Sequence, residues 1–128
     1  MSKSKKSKSR KYSIEPSLDL SPPAIHLDEI KGEKRLIARV RFSSIDGVCH
    51  RDYALWEINV DGKKYYAMTT SVSVPGFETP AQVWGLGHTP EEALRMAYLI
   101  MVGFIEDNVM SWEVTQAFES FYEQLKGE

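Results

Sequence analysis

DYALWEINVDGKKYYAMTTSVSV, residues 52–74, decides the fold. Apolar residues recur at every second position on both sides of Asp61-Gly62, the period of strands whose successive side chains point to opposite faces. Asp61-Gly62 is the strongest short hairpin signal, because both central residues of its two-residue turn must take positive φ. Such a turn sets the register: Val60 opposite Lys63, Ile58 opposite Tyr65, Trp56 opposite Ala67. Ala54, Trp56, Ile58 and Val60 then share one face. Tyr53, Leu55 and Glu57 share the other with Thr70, Met68 and Tyr66. This second face is only partly apolar, so it is expected to be partly exposed or to meet a partner.

Upstream, RLIARVRF (35–42) alternates too, with Leu36, Ala38, Val40 and Phe42 directed one way and Arg35, Ile37, Arg39 and Arg41 the other. It reads as a half-buried strand with a basic outer face. Ile45-Asp46-Gly47-Val48 is turn material. Downstream, Pro75-Gly76 ends the third strand, FETPAQ makes a loop, and QVW adds a short fourth strand. Thr89-Pro90-Glu91-Glu92 then carries helix-start chemistry: Thr89 as N-cap, Pro90 at the first helical position, and Glu92 completing a capping box. This helix runs to about Asp107. A second, from near Ser111 to Leu125, has an apolar stripe of Val114, Ala117, Phe118, Phe121, Tyr122 and Leu125, with Glu113, Gln116, Glu119 and Glu123 opposite. The expected architecture is α+β: an antiparallel meander of three or four strands followed by two C-terminal helices packed on one face.

The chain has 128 residues, enough for one domain. Residues 1–11 carry Lys3, Lys5, Lys6, Lys8, Arg10 and Lys11, a charge of +6, while the other 117 residues carry −8. This Ser/Lys tail lacks the apolar residues needed to offset its ordering entropy and is expected to be disordered. Residues 12–34 contain Pro16, Pro22 and Pro23 and read as a linker, with Leu18, Leu20 or Ile25 as candidates for docking on the body; residues 35–128 form the single domain. Cys49 is the one cysteine, so no internal disulfide is possible. The longest nearly apolar run, Ala93 to Ile105, is too short for the roughly 20 residues of a membrane span, and no apolar run follows the basic N-terminus. The expectation is a cytoplasmic protein without a membrane partner.

WGLGHT (84–89) raises the question of a phosphate site, because helix N-termini present free N–H groups to anions. Glu91 and Glu92 already complement the dipole there and repel phosphate, and no GxGxxG or GxxxxGK spacing is present. The glycines are read instead as letting strand and helix pack closely. His26, His50 and His88 are scattered, and Cys49 and His50 are adjacent, so they would point to opposite faces of a strand and do not suit a shared metal. A Cys49–His88 nucleophile pair is conceivable only if the fold brings the two together. No catalytic residue, metal or cofactor is assigned.

The first helix, EEALRMAYLIMVGFIED (91–107), has one internal charge, Arg95, and offers more apolar surface than one sheet face covers. Met96, Leu99, Met101, Gly103 and Phe104 are the candidate protein interface, for another protein or for a second copy in a homodimer. The alternative is nucleic-acid contact through the tail bases Lys3, Lys5, Lys6, Lys8, Arg10 and Lys11 with the strand arginines Arg35, Arg39 and Arg41.

DGKKYYA, VPGF and GLGHTPEEALRMA together resemble the HicB family of antitoxins, through Asp61, Gly62, Tyr66, Ala67, Pro75, Gly76, Gly87, Thr89, Glu91, Glu92 and Ala93. The resemblance spans about residues 52–107. It implies a partial RNase H-like β-β-β-α-β domain without nuclease acids, and a role in masking an mRNA-cleaving toxin by protein–protein contact. The chain departs from the family in a longer loop between Gly76 and Gly87 and in the single amphipathic helix after Ser111. The function expected from these readings is a small non-enzymatic protein-binding domain, a HicB-like antitoxin or adaptor.

Overall fold

The computed structural model describes residues 25–104 and 108–127; the basic tail, Leu18 and Leu20 lie outside these residues, as do the side chains of Phe104 and of residues 108–110. Strands β1 (Glu33–Ser43), β2 (His50–Val60), β3 (Lys63–Val74), β4 (Phe77–Glu78) and β5 (Gln82–Gly87) precede helices α1 (Pro90–Phe104) and α2 (Asn108–Lys126). All strand pairs are antiparallel: β2 lies between β1 and β3, and both β4 and β5 pair with the far side of β3. The fold is α+β, a meander followed by two helices on one face. The β-β-β-α-β order implied by the family resemblance is not the order found, since β5 precedes α1 and a helix, α2, follows it.

Asp61 and Gly62 take φ of 53° and 86°, and the β2–β3 register is the one their turn dictates, Val60 opposite Lys63 through Trp56 opposite Ala67. The faces are a different matter. The expected half-exposed face of Tyr53, Leu55 and Met68 is the one the helices cover, and all three residues are fully buried against Leu94, Ala97, Met101, Val114 and Phe121. It tolerates burial because its polar atoms have partners: the Tyr53 hydroxyl donates to Glu113, and that of Tyr66 to Glu57. The opposite face carries a smaller core of Ile58, Ala67, Val83 and Leu27. Leu27 gets there because residues 25–27 pair with the start of β5. Val83 N–H donates to the Ile25 carbonyl (3.0 Å) and Leu27 N–H to that of Ala81 (2.8 Å), so the end of the linker belongs to the fold.

Strand β1 contains a bulge. Leu36 lies opposite Trp56 but Ala38 opposite Leu55, which leaves Ile37 as the extra residue. The simple alternation of residues 35–42 is therefore corrected: Leu36 is on the face away from the helices, while Ala38, Val40 and Phe42 are on the helix side. Along the outer edge of β1 the Gln124 amide from α2 grips one residue at both ends, accepting from Arg39 N–H (3.3 Å) and donating to the Arg39 carbonyl (3.1 Å).

Helix α1 rests on β5 through glycines. A Cβ at Gly85 would overlap the Ala93 carbonyl and stand 2.5 Å from the Ala97 nitrogen; one at Gly87 would stand 2.7 Å from the Ala93 nitrogen. Backbone occupies the space a side chain would need. Gly85→Ala is expected to destabilise the fold by about 3 kcal/mol, at the upper end of overpacking costs, read as a lower midpoint in denaturant titration. Gly103→Ala is the control: nothing among the described residues lies within 4 Å of a Cβ there, so helix propensity alone predicts a gain of up to about 1 kcal/mol.

Candidate functional site

The turn before α1 answers the phosphate question. Thr89 Oγ1 accepts from Glu92 N–H (3.1 Å), the Thr89 carbonyl accepts the first helical bond from Ala93 N–H, and the Glu92 carboxylate reaches back to His88 N–H (2.6 Å). The N–H groups of His88, Glu92 and Ala93 are thus engaged by the chain's own oxygens, and the Glu92 carboxylate stands where an anion would approach. Gly85 and Gly87 are occupied by helix backbone. The turn launches and seats a helix.

The rest of α1 sorts into three strips. Ala93, Leu94, Ala97 and Met101 point into the core. Arg95, Tyr98 and Val102, spaced i, i+3, i+7, flank a groove toward α2, whose wider part is about 340 Å³ and is lined by Arg95, Tyr98, Thr115, Phe118, Glu119 and Tyr122. Met96, Leu99 and Gly103, again i, i+3, i+7, form the flank on the other side. Leu99 is 62% exposed and Met96 43%, and Gly103 is exposed as well. The five residues expected to form an interface are therefore not one surface. Met96, Leu99 and Gly103 share the outer flank; Met101 is a core residue, 2% exposed, because it sits one turn after Ala97 on the sheet-facing strip; and the Phe104 side chain is outside the described residues.

The strand arginines are divided as well. The bulge puts Arg35 on the face of Glu57, and Arg39 and Arg41 on the other face with Ala54 and Asp52. Arg41 holds Asp52 with two bonds of 2.8 and 3.0 Å, a fork that also raises the guanidinium's own pKa. Arg35 bonds Glu57 at 3.2 Å. The single basic face expected of residues 35, 39 and 41 does not form, and two of its three charges are paired.

Cys49 and His88 fall at opposite ends of the sheet. His50 is level with Ser73 and Gly87 with Tyr66, seven residues apart along β3 and so roughly 23 Å at the usual strand rise. His88 stacks against Tyr65 (ring centroids 5.1 Å), and His50 Nδ1 is 2.8 Å from the Ser43 hydroxyl. Among the described residues no three His, Cys, Asp or Glu side chains gather as a metal site would require, and no helix is long and apolar enough to cross a membrane.

A buried polar cluster joins β2 to α2. Glu113, expected on the solvent side of α2, is buried, accepting from the Tyr53 hydroxyl (3.1 Å) and pairing with Arg51 Nε (3.3 Å). Burial first, and then the Glu113 charge, push the Tyr53 phenol well above its ordinary range. The signal available was spacing: Glu113 lies four and eight residues before Ala117 and Phe121, on their stripe. On the same side of the sheet, the Glu57 carboxyl is held below its ordinary range, chiefly by the Arg35 bond and also by the charges of Arg35 and Lys64 and the Tyr66 hydroxyl, against its own desolvation.

No family model, no curated protein and no solved structure matches the chain.

Two outcomes follow. Thr89→Ala is expected to cost about 1 kcal/mol in thermal or denaturant melts, with phosphate or nucleotide leaving the wild-type midpoint unmoved. A carboxyl whose folded pKa is depressed stabilises the fold above its unfolded value of 4.5 and loses that contribution as pH falls through the lower folded value. Glu57→Gln should therefore lower stability at neutral pH and flatten its dependence on pH below about 4.5, measured by urea titration at several pH values.

Proposed function

We propose that this chain is a small non-enzymatic protein-binding domain, of the antitoxin or adaptor kind that its HicB-like stretch suggests, and that it binds through the outer flank of α1. Gly103 carries the reading. A glycine inside a helix costs about 1 kcal/mol relative to alanine, and here no neighbour among the described residues requires it. Gly85 and Gly87 make room for a packed helix; Gly103 leaves the same kind of room on the outside, beside Leu99 and Met96. A small residue bordered by exposed leucine and methionine suits the close approach of a second body, with methionine adapting to its shape. A second copy meeting the flank about a twofold axis is the simplest such body, because one patch then serves both sides.

The paired arginines of β1 support this reading over phosphate contact, since their charge is already matched within the chain. Sedimentation equilibrium of the full chain in high salt, where exposed charge contacts are screened, tests it. The wild type is expected to associate in the micromolar range. Leu99→Glu and Gly103→Glu should give folded monomers, whereas Met101→Glu should unfold the chain because its side chain is in the core. A wild type that stays monomeric to high micromolar concentration would overturn self-association by this flank.

A further inference from the structure

Helices α1 and α2 are anchored on strands at opposite sides of the sheet. Gly85 and Gly87 seat α1 on β5, and Gln124 ties α2 to Arg39 on β1. From β1 through β2 and β3 to β5 there are three strand spacings, roughly 14 Å in all. Helices in full side-chain contact stand about 8–10 Å apart. The anchors therefore hold the two helices roughly 4–6 Å too wide to close on each other. That excess admits one flat ring, whose van der Waals contacts fall at about 3.5–4.0 Å.

The groove between them is lined to match. The helices run antiparallel, with Val102 and Ser111 in the narrow part and Arg95, Glu119 and Tyr122 in the wide part of about 340 Å³. Small-molecule sites begin at about this volume and favour gaps between helices. Phe118, 5% exposed, forms the floor, and the Tyr98 ring meets its ring edge-on at 5.5 Å. Tyr98 on α1 and Tyr122 on α2 are 43% and 42% exposed, so the groove has aromatic walls that the chain itself leaves uncovered. Arg95 on α1 and Glu119 on α2 both line this wide part and are exposed. Their opposite charges do not meet: among the described residues, the ion pairs of the chain involve neither. A guest that bridges them carries an anion for Arg95, a cation for Glu119 and an apolar body for the floor.

We propose that the groove between α1 and α2 binds a free aromatic amino acid. Its ring lies on Phe118 between the tyrosine walls, its carboxylate bonds Arg95, and its ammonium bonds Glu119 with Tyr122 one turn beyond. The site is separate from the outer flank of α1 and rests on no part of the function proposed above.

Amide chemical shifts of the isotope-enriched full chain, titrated with L-phenylalanine, test the proposal. The expected result is saturable movement at Tyr98, Thr115, Phe118 and Glu119 with a Kd of about 1 mM or tighter. Gly47, at the far end of the sheet, should not move. Phenethylamine lacks the carboxylate and 3-phenylpropionate lacks the ammonium; each should bind about tenfold more weakly, the effect of losing one charge-assisted bond. L-Alanine, a zwitterion without a ring, should not saturate. Arg95→Gln should weaken phenylalanine to the level of phenethylamine and leave phenethylamine unchanged. Glu119→Gln should do the same with respect to 3-phenylpropionate. Both positions are exposed and glutamine is a good helix former, so both variants are expected to fold. No saturation by about 10 mM phenylalanine, or shifts centred elsewhere, overturns the proposal. Equal binding of phenylalanine and its two analogues also overturns it, because the groove would then take any apolar ring. Unchanged phenylalanine binding in the two glutamine variants overturns it as well.

Discussion

Helix α1 touches β5 backbone to backbone, and the rest of the molecule is arranged around that contact. Gly85 and Gly87 allow it from the strand, and Ala93 and Ala97 from the helix. Once these four meet, the rotation of α1 about its axis is fixed. Leu94 and Met101 go down into the core that holds Met68 and Leu55. Tyr98 and Val102 are left to the groove, Met96 and Leu99 to the outer flank. The exposed apolar surface is a geometric result of close seating, because a helix held this near a sheet can bury only one strip.

Legibility in the sequence followed the range of the physics involved. The β2–β3 register could be read because a two-residue turn leaves no freedom, and the start of α1 because caps are local. Which side of the sheet the helices take could not be read from alternation. Both sides carry aromatic and aliphatic residues, and the acceptor that satisfies the buried Tyr53 hydroxyl, Glu113, lies sixty residues later. The bulge at Ile37 has no marker such as glycine, yet it turns Arg35 away from Arg39 and Arg41. Of the expected interface, Met96, Leu99 and Gly103 form one strip and Met101 does not. A count of apolar residues identifies the excess but not which residues constitute it.

The charged residues of the sheet serve its interior more than its exterior. Arg41 with Asp52, Arg35 with Glu57, and Arg51 with Glu113 tie neighbouring strands to each other or a strand to α2. Exposed pairs contribute little each; the Glu113 pair matters more, because removing Arg51 would leave the buried Glu113 carboxylate without its paired charge.

Gln124 closes the edge of β1 at Arg39 with a side-chain amide that imitates the peptide of a neighbouring strand. The two residues are 85 positions apart. During synthesis, β1 to β3 can pair by local hairpins long before position 124 exists, so the growing chain carries an open sheet edge through the making of both helices. Neighbouring chains on one message would present that edge to each other, which makes local concentration at the ribosome a hazard for this fold.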